Sequence, residues 1–208
     1  NDPKVLASTL DVISETLGDV VSKELFTLKK EIEVVVLNRH GDAKVIIHSL
    51  YANLTNAPIL ERRETIWSES PIDGVGLRAY SGDQPVPCLP TTFEPHVKEF
   101  ALQFATPIQP RETRRYRLEY SISGMFKDRQ FYFVRIYPGV VHQTFCLRID
   151  PSLALSSVFV TRQSATDRPT ASSSTTSAVE FIEKDGEVRW ELYSPRAGSI
   201  IRTYWSYA

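Results

Sequence analysis

The stretch RRYRLEYSI at residues 114–122 decides the fold class, because polar and apolar side chains alternate along it. The residues of one alternating set are Tyr116, Leu118, Tyr120 and Ile122. The residues of the other set are Arg115, Arg117 and Glu119. Successive side chains of a strand point to opposite faces of a sheet. The pattern therefore predicts a strand with one face in the core and one face turned outward.

Similar stretches fill most of the chain on both sides of this strand. They include VVVL at residues 34–37, QFYFVRIY at 130–137, VVHQTFCLRID at 140–150 and SIIRTYWSY at 199–207. Many short strands separated by turn signals predict a mainly β protein with an antiparallel β-sandwich. In architecture, the stretch FALQFATPIQPRETRRYRLEYSI at residues 100–122 resembles immunoglobulin-like or jelly-roll domains, and this resemblance is limited to the strand–loop–strand pattern.

Turn and loop signals separate these strands. Gly41 in RHGD predicts a hairpin turn, and Asp185–Gly186 predicts another between two alternating strands. The proline-dense stretch DQPVPCLPTTFEP at residues 83–95 predicts a long ordered loop or an edge strand. A Ser/Thr-rich segment at about residues 163–178 has few apolar side chains, which predicts a mobile loop.

The first thirty residues have a different period. Asp2 and Pro3 suit a helix start, and the apolar residues then recur at steps of three and four. The stripe consists of Leu6, Leu10, Ile13, Leu17, Val20, Val21 and Leu25, and Leu28 continues it. This spacing predicts an amphipathic helix over residues 1–30, ending at about residue 28, followed by a β-sandwich domain over 31–208. The narrow stripe favours pairing with a second copy in a homodimer or a linking role, and packing on the chain's own sheet is the alternative.

Composition excludes some classes of protein. Lys and Arg total 24 against 25 Asp and Glu, and this balance disfavours nucleic acid as a partner. No apolar run is long enough to span a bilayer. The two cysteines, Cys88 and Cys146, are far apart, and free thiols are the favoured interpretation over a disulfide. The cysteines do not settle the compartment, for which the cytoplasm is favoured over an extracellular location.

Sequence motifs for catalysis, metal and cofactor binding are missing. There is no GxSxG, HExxH or DxDxDG, and no phosphate-binding loop of the GxGxxG or GxxxxGK type. We therefore predict no catalytic residues, no metal ligands and no cofactor. Asn53–Thr55 fits the N-glycosylation triplet, which arises readily by chance.

The candidate binding residues combine arginines with aromatic side chains. They are Arg115, Arg117, Phe131, Phe133, Arg135, His142 and Arg148, each on the predicted outer face of its strand. If these strands are neighbours, the side chains form a surface for a protein partner or an anionic or aromatic small ligand. The alternative is that Phe131 and Phe133 belong to the core and the charges form ordinary cross-strand ion pairs.

These features predict a non-enzymatic recognition or sensory module of a larger protein. It would bind a protein partner or small ligand on a sheet face or loops, with the helix mediating dimerisation or linkage. One alternative is a hydrolase or lyase that uses His142 with arginines on one sheet face. Another is a jelly-roll subunit that self-assembles through its edges.

Overall fold

The computed structural model describes residues 25–67, 76–127, 130–137, 139–163 and 176–207. Every regular element in these ranges is a strand. The strands are β1 (Leu25–Val36), β2 (Ala43–Asn53), β3 (Ile59–Trp67), β4 (Arg78–Ser81), β5 (Gln84–Val86), β6 (Cys88–Phe93), β7 (Val97–Ile108), β8 (Thr113–Ile122), β9 (Phe131–Arg135), β10 (Val140–Ile149), β11 (Leu155–Gln163), β12 (Thr176–Ala178), β13 (Ile182–Lys184), β14 (Glu187–Tyr193) and β15 (Ile200–Tyr207).

These strands form three sheets. Sheet A has eight strands in the order β13-β14-β10-β1-β2-β8-β4-β5. Sheet B has three strands in the order β3-β7-β6, and sheet C has four in the order β12-β11-β15-β9. Strands β3 and β9 therefore each lie at the end of a sheet, and this position matters for the candidate site.

The alternation in β8 is confirmed. Its apolar set is buried on the inner face of sheet A, whereas Arg115 is exposed on the other face. The main core joins all three sheets: Val34 of sheet A, Phe100 of sheet B and Trp205 of sheet C belong to one buried cluster. A second cluster, which contains Tyr116 and Leu102, fills the space between β7 and the β8 end of sheet A. The chain is thus mainly β, as predicted.

The predicted helix is wrong at its C-terminal end. Residues from Leu25 onward belong to strand β1, which pairs with β2 on one side and β10 on the other. Two long ladders of backbone hydrogen bonds outweigh the local three-four spacing, because propensity is a weak determinant beside tertiary pairing. The described residues contain no helix, and hence no helix that could cross a membrane. The other stripe residues lie outside the described ranges: Leu6, Leu10, Ile13, Leu17, Val20 and Val21.

Two further expectations need correction. The sheets are not purely antiparallel, because the central pair β1 and β10 runs parallel, with Val34 opposite Leu147. These two strands are far apart in the chain, so no hairpin constrains their direction. Both ends of the predicted Ser/Thr-rich loop belong to strands: Gln163 ends β11, and Thr176–Ala178 form β12, which pairs with β11. Residues 164–175 lie outside the described ranges.

The turn predictions are confirmed. Gly41 has a φ of 80° and Gly186 a φ of 76°, which glycine adopts without strain. The proline-dense stretch supplies β5 at the edge of sheet A and β6 at the edge of sheet B, as predicted for an edge. Pro85 and Pro90 are tolerated there because an edge strand has one row of unpaired backbone groups.

Asn53 has a structural role. It is fully buried, and its side-chain nitrogen donates hydrogen bonds to the carbonyl oxygens of Ala57 at 2.9 Å and Ile108 at 2.7 Å. In this fold the amide is therefore inaccessible to a glycan. Cys88 and Cys146 are both free thiols, in sheets B and A respectively.

Candidate functional site

A cavity of about 330 Å³ opens between the three sheets. Sheet A contributes Lys30, Ile32, Ile47, Leu118 and Tyr120 to its wall. The other walls come from β3 at residues 64–67, from Met125 and Phe126 after β8, and from β9 and Tyr137. The volume is at the lower end of the range of about 300–1,000 Å³ for small-molecule sites. It suits one small ligand or one inserted side chain.

The cavity lies beside the edges of two strands. All five residues of β9, from Phe131 to Arg135, contact it, and so do four consecutive residues of β3. A cavity above one face of a strand would contact every second residue, because successive side chains point to opposite faces. Contact with consecutive residues therefore places the cavity between the outer edge of β3 and the outer edge of β9.

Charged side chains enter the cavity from sheets A and B. Glu64 on β3 accepts a hydrogen bond from the Tyr51 hydroxyl at 3.0 Å and forms an ion pair with Arg62 at 2.7 Å. Arg62 in turn lies over the Tyr51 ring, 4.1 Å from its centre. Lys30 on β1 points to the inner face of sheet A, and among the described residues no carboxylate lies within ion-pair distance of its amine. Arg135 also lacks an ion-pair partner in the described ranges.

The pKa directions follow from this burial. Burial lowers the pKa of the Lys30 amine, the Glu64 carboxylate opposes this change, and Arg62 adds to it. Burial also acts to raise the pKa of Glu64, but the charges of Arg62 and Lys30 and two hydrogen bonds outweigh it, so the pKa is lowered. Burial and the nearby Glu64 raise the pKa of Tyr51. The Glu64 carboxylate therefore interacts with both Arg62 and Lys30, and among the described residues neither Lys30 nor Arg135 has an acid within ion-pair distance.

Two tyrosines provide further polar groups at the inner wall. The hydroxyls of Tyr120 and Tyr132 lie 3.4 Å apart, and burial raises the pKa of both. Each hydroxyl can donate or accept a hydrogen bond, so the pair can orient a ligand carboxylate or carbonyl.

Aromatic rings form the outer wall. Trp67 at the end of β3 meets Phe133 of β9 edge-on, with 4.8 Å between ring centres. Phe131 packs on Tyr204 at 5.3 Å, and Tyr204 stacks on Phe159 at 4.5 Å. The rings continue from the cavity mouth across the outer face of sheet C, where Phe159 is 52% exposed.

Three of the predicted binding residues line this cavity, namely Phe131, Phe133 and Arg135. The other four lie on sheet A, on the face opposite the core: Arg115 and Arg117 on β8, and His142 and Arg148 on β10. Strands β1 and β2 separate β8 from β10, a distance of about 14 Å at about 4.8 Å per strand. The predicted set is therefore divided between two sheets and does not form one surface.

On sheet A the arginines are matched by acids. Arg148 pairs with Glu33 at 2.6 Å and with Glu187 at 3.0 Å. Arg117 pairs with Glu119 at 3.1 Å and lies 4.4 Å from the centre of the Tyr80 ring. The two Arg148 pairs cross to the neighbouring strands β1 and β14, whereas the Arg117–Glu119 pair lies within β8.

His142 belongs to a small polar cluster at the β10–β14 border. Its Nε2 lies 2.5 Å from a Glu191 oxygen, and the Tyr193 hydroxyl donates to the same oxygen at 2.7 Å. The His142 and Tyr193 rings stack at 4.5 Å. The Glu191 side chain is 44% exposed, whereas the His142 side chain is 18% exposed and covered by the Tyr193 ring, and neither His142 nor Glu191 lines the cavity.

Sequence reasoning missed Lys30, Glu64 and Trp67. A weak signal existed in β3, where ILERRETIW places charged residues on an edge strand beside a terminal tryptophan. The helix prediction includes Lys30, so it does not indicate that Lys30 alternates with Ile32 and Val34 on the core side of a strand. Tyr204 was visible in the alternation of SIIRTYWSY, but its contact with Phe131 depends on the pairing of β15 with β9.

Comparison with known proteins yields a likeness of fold. No protein-family model matches the chain, and no curated protein matches it in sequence. Among solved structures, native leukotriene A4 hydrolase from Saccharomyces cerevisiae has 9% identity and a TM-score of 0.51, covering 88% of this chain and 29% of that one. A structure from Parabacteroides distasonis ATCC 8503, provisionally assigned as a protease, has 10% identity and a TM-score of 0.52, covering 88% and 41%.

An M1 zinc metallopeptidase from Deinococcus radiodurans, in its E323A form with a bound Tyr-Ser-Ala substrate, has 13% identity and a TM-score of 0.47. That match covers 88% of this chain and 43% of the metallopeptidase. The chain thus spans less than half the length of each of these three structures. At such identities the likeness concerns the fold alone.

Proposed function

We propose that the chain is a non-enzymatic recognition module that binds an anionic ligand with an apolar or aromatic body in the cavity between β3 and β9. The observation that carries this proposal is the Lys30 amine, which lines an aromatic-walled cavity and has no acid within ion-pair distance among the described residues. We also infer that the sheets stack as a β-sandwich, which the shared core cluster of sheets A and C supports.

The charge balance of the cavity supports an anionic ligand. Glu64 is neutralised by Arg62 at 2.7 Å, so Lys30 and Arg135 provide an excess of positive charge. A partly buried ammonium without an acid is costly, and a ligand carboxylate or sulfonate beside it offsets that cost. The rings of Trp67, Phe131 and Phe133 provide the apolar contact area.

The position of His142 supports a non-enzymatic function over the hydrolase or lyase alternative. General acid–base catalysis benefits from a site that holds substrate and excludes water. His142 and Glu191 lie outside the cavity, the Glu191 side chain is 44% exposed, and Arg148 is engaged with Glu33 and Glu187.

The test uses 8-anilinonaphthalene-1-sulfonate, an anionic aromatic dye, and its uncharged relative N-phenyl-1-naphthylamine. Dye fluorescence is titrated with the wild-type chain, with Lys30→Met and with Lys29→Met. Lys29 is a matched control because it is the adjacent lysine and pairs with Glu31 at 2.7 Å. Cooperative thermal unfolding of each variant verifies that the dye reports on folded protein.

We expect Lys30→Met to weaken the sulfonate dye about tenfold, which corresponds to about 1.4 kcal/mol. Binding of the uncharged dye should change less than twofold, and Lys29→Met should bind both dyes like wild type. Equal affinity of wild type and Lys30→Met for the sulfonate dye would overturn the proposal.

A further inference from the structure

We propose that the natural ligand is an extended polypeptide segment that adds as a strand along the free edge of β9 and places an acidic side chain in the cavity. The acidic part of this inference rests on the proposed function, whereas the strand addition rests on backbone geometry. Each part therefore has its own test.

The pairing of β9 with β15 determines which backbone groups are free. The Ile136 N–H donates to the Ser199 carbonyl at 2.9 Å, and the Gln130 carbonyl accepts from the Trp205 N–H at 3.0 Å. In an antiparallel pair, alternate residues direct both backbone groups to the same neighbour. Tyr132 and Val134, in phase with these two, therefore bond to β15.

The residues between them point the other way. The N–H and C=O groups of Phe131, Phe133 and Arg135 are directed away from β15, toward the cavity edge. In the described ranges no strand pairs with β9 on that side. This row of donors and acceptors has the spacing that one more strand requires.

The composition of β9 distinguishes it from the other sheet edges of the described chain. Natural edges are protected by shortness, charge or proline. The edge strands β5, β12 and β13 have three residues each, β6 contains Pro90, and β3 carries four consecutive charged residues at 61–64. The sequence of β9, FYFVR, has three aromatic residues and a single charge, at its end. An edge without these protective features suits strand addition.

The cavity determines which side chain the segment should carry. Its volume of about 330 Å³ accommodates a side chain beside β9, and its unmatched cations are Lys30 and Arg135. An aspartate or glutamate on the inner face of the added strand can therefore enter it beside Lys30. The two apolar residues next to it in sequence then lie on the outer face and contact Phe131 and Phe133. We infer an alternating segment with an acidic residue between two apolar ones.

The test measures amide hydrogen exchange by NMR on the whole chain, with and without the peptide acetyl-Thr-Thr-Leu-Glu-Leu-Thr-Thr-amide. Without peptide, the amides of Tyr132 and Val134 should already be protected by β15, whereas those of Phe131, Phe133 and Arg135 should exchange faster. With saturating peptide, exchange at Phe131, Phe133 and Arg135 should slow at least tenfold, and exchange at Tyr132 and Val134 should change less than twofold.

Two N-methylated peptides provide a matched control that needs no protein variant. One peptide is methylated at its odd-numbered amides and the other at its even-numbered amides. In any pairing register of the peptide with β9, only one of these two sets of amides faces β9. We expect one peptide to lose at least tenfold in affinity and the other to stay within threefold of the parent. A peptide that binds without protecting the odd β9 amides, or two methylated peptides that both bind like the parent, would overturn strand addition.

The acidic side chain is tested with the glutamine version of the peptide. Wild type should bind the glutamine peptide about tenfold more weakly than the glutamate peptide. Lys30→Met should bind the two peptides equally well. Equal binding of the glutamate and glutamine peptides to wild type overturns the acidic preference and leaves strand addition intact. If the peptide does not bind while the sulfonate dye still depends on Lys30, strand addition is wrong and the proposed anionic site stands.

Discussion

The ring of Trp67 contacts the ring of Phe133 edge-on, at 4.8 Å between their centres, and this contact joins the outer edges of two different sheets. Trp67 ends β3 of sheet B, and Phe133 is the middle residue of β9 of sheet C. Both rings also line the cavity.

The first prediction concerns the energy of that contact. Edge-to-face aromatic pairs contribute about 0.5–1.5 kcal/mol beyond the area they bury. In a double-mutant cycle of Trp67→Ala and Phe133→Ala, measured by urea unfolding, we expect a coupling energy of about 1 kcal/mol. The control cycle combines Trp67→Ala with Phe159→Ala, whose rings do not stack on each other, and should give no coupling. A coupling near zero in both cycles would show that the contact does not join the sheets energetically.

The second prediction concerns the cost of keeping Lys30 ionised in the cavity wall. Because burial lowers the pKa of Lys30 in the folded state, we expect Lys30→Met to stabilise the protein at pH 7, by about 1 kcal/mol. Between the lowered pKa and 10.5 the unfolded chain holds a proton that the folded chain has lost, so wild type gains stability as the pH rises. The advantage of Lys30→Met should therefore shrink toward pH 10.5.

Urea unfolding of wild type, Lys30→Met and Lys29→Met from pH 7 to 10.5 measures this dependence. Lys29→Met is the control, since that lysine pairs with Glu31 outside the cavity. A stability gap for Lys30→Met that does not change with pH contradicts the lowered pKa.

The third prediction concerns Glu64, whose pKa is lowered by Arg62 and Lys30 despite burial. An acid with a lowered folded pKa stabilises the protein above its unfolded pKa, near 4.5, and loses that contribution as the pH falls through the folded value. We expect Glu64→Gln to cost about 2 kcal/mol at pH 7, because hydrogen bonds to a charged group are lost. The cost should decline below about pH 4.5.

Thermal or urea unfolding between pH 7 and 2.5 follows this change. Glu61→Gln is the matched control, since Glu61 is an exposed acid on the same strand. If both variants lose stability equally at pH 7, Glu64 has no special role in joining β3 to sheet A.

The sequence was informative wherever one face of a strand is buried. Alternation in β8 predicted its buried and exposed faces, and Gly41 and Gly186 marked their turns, because these features depend on neighbouring residues alone. The cavity could not be predicted, because it lies between edges that are joined only in three dimensions. Phe131, Phe133 and Arg135 line the cavity, but the sequence does not show that β9 pairs with β15 rather than with β10.

The helix prediction failed at residues 25–30 for a related reason. The spacing of Leu25 and Leu28 suits a helix as well as a strand that contains a bulge, and the structure has a register shift between Thr27 and Lys29. A bulge changes the phase of the side chains, so the period of two that marks a strand is interrupted at that point. Only the pairing of β1 with both β2 and β10 decides between the two conformations.

The last prediction concerns Gly41, whose turn supports the cavity wall. A Cβ at this position would lie 2.4 Å from the backbone nitrogen of Lys127 and the backbone carbon of Phe126, and its φ is 80°. The Gly41 carbonyl also accepts a hydrogen bond from the Phe126 N–H at 3.1 Å, and Phe126 lines the cavity. Gly41→Ala must therefore displace the Phe126 backbone as well as strain its own.

We expect Gly41→Ala to cost about 3 kcal/mol or more in urea unfolding, from the strained φ and the clash with backbone atoms together. The control is Gly82→Ala, because Gly82 has a φ of 60° but no atom within 4 Å of the added carbon. That variant should cost only about 1 kcal/mol, from the φ alone. Equal losses for the two variants would mean that the Phe126 backbone moves at little cost in free energy. That result would disprove that this turn holds the cavity wall rigid.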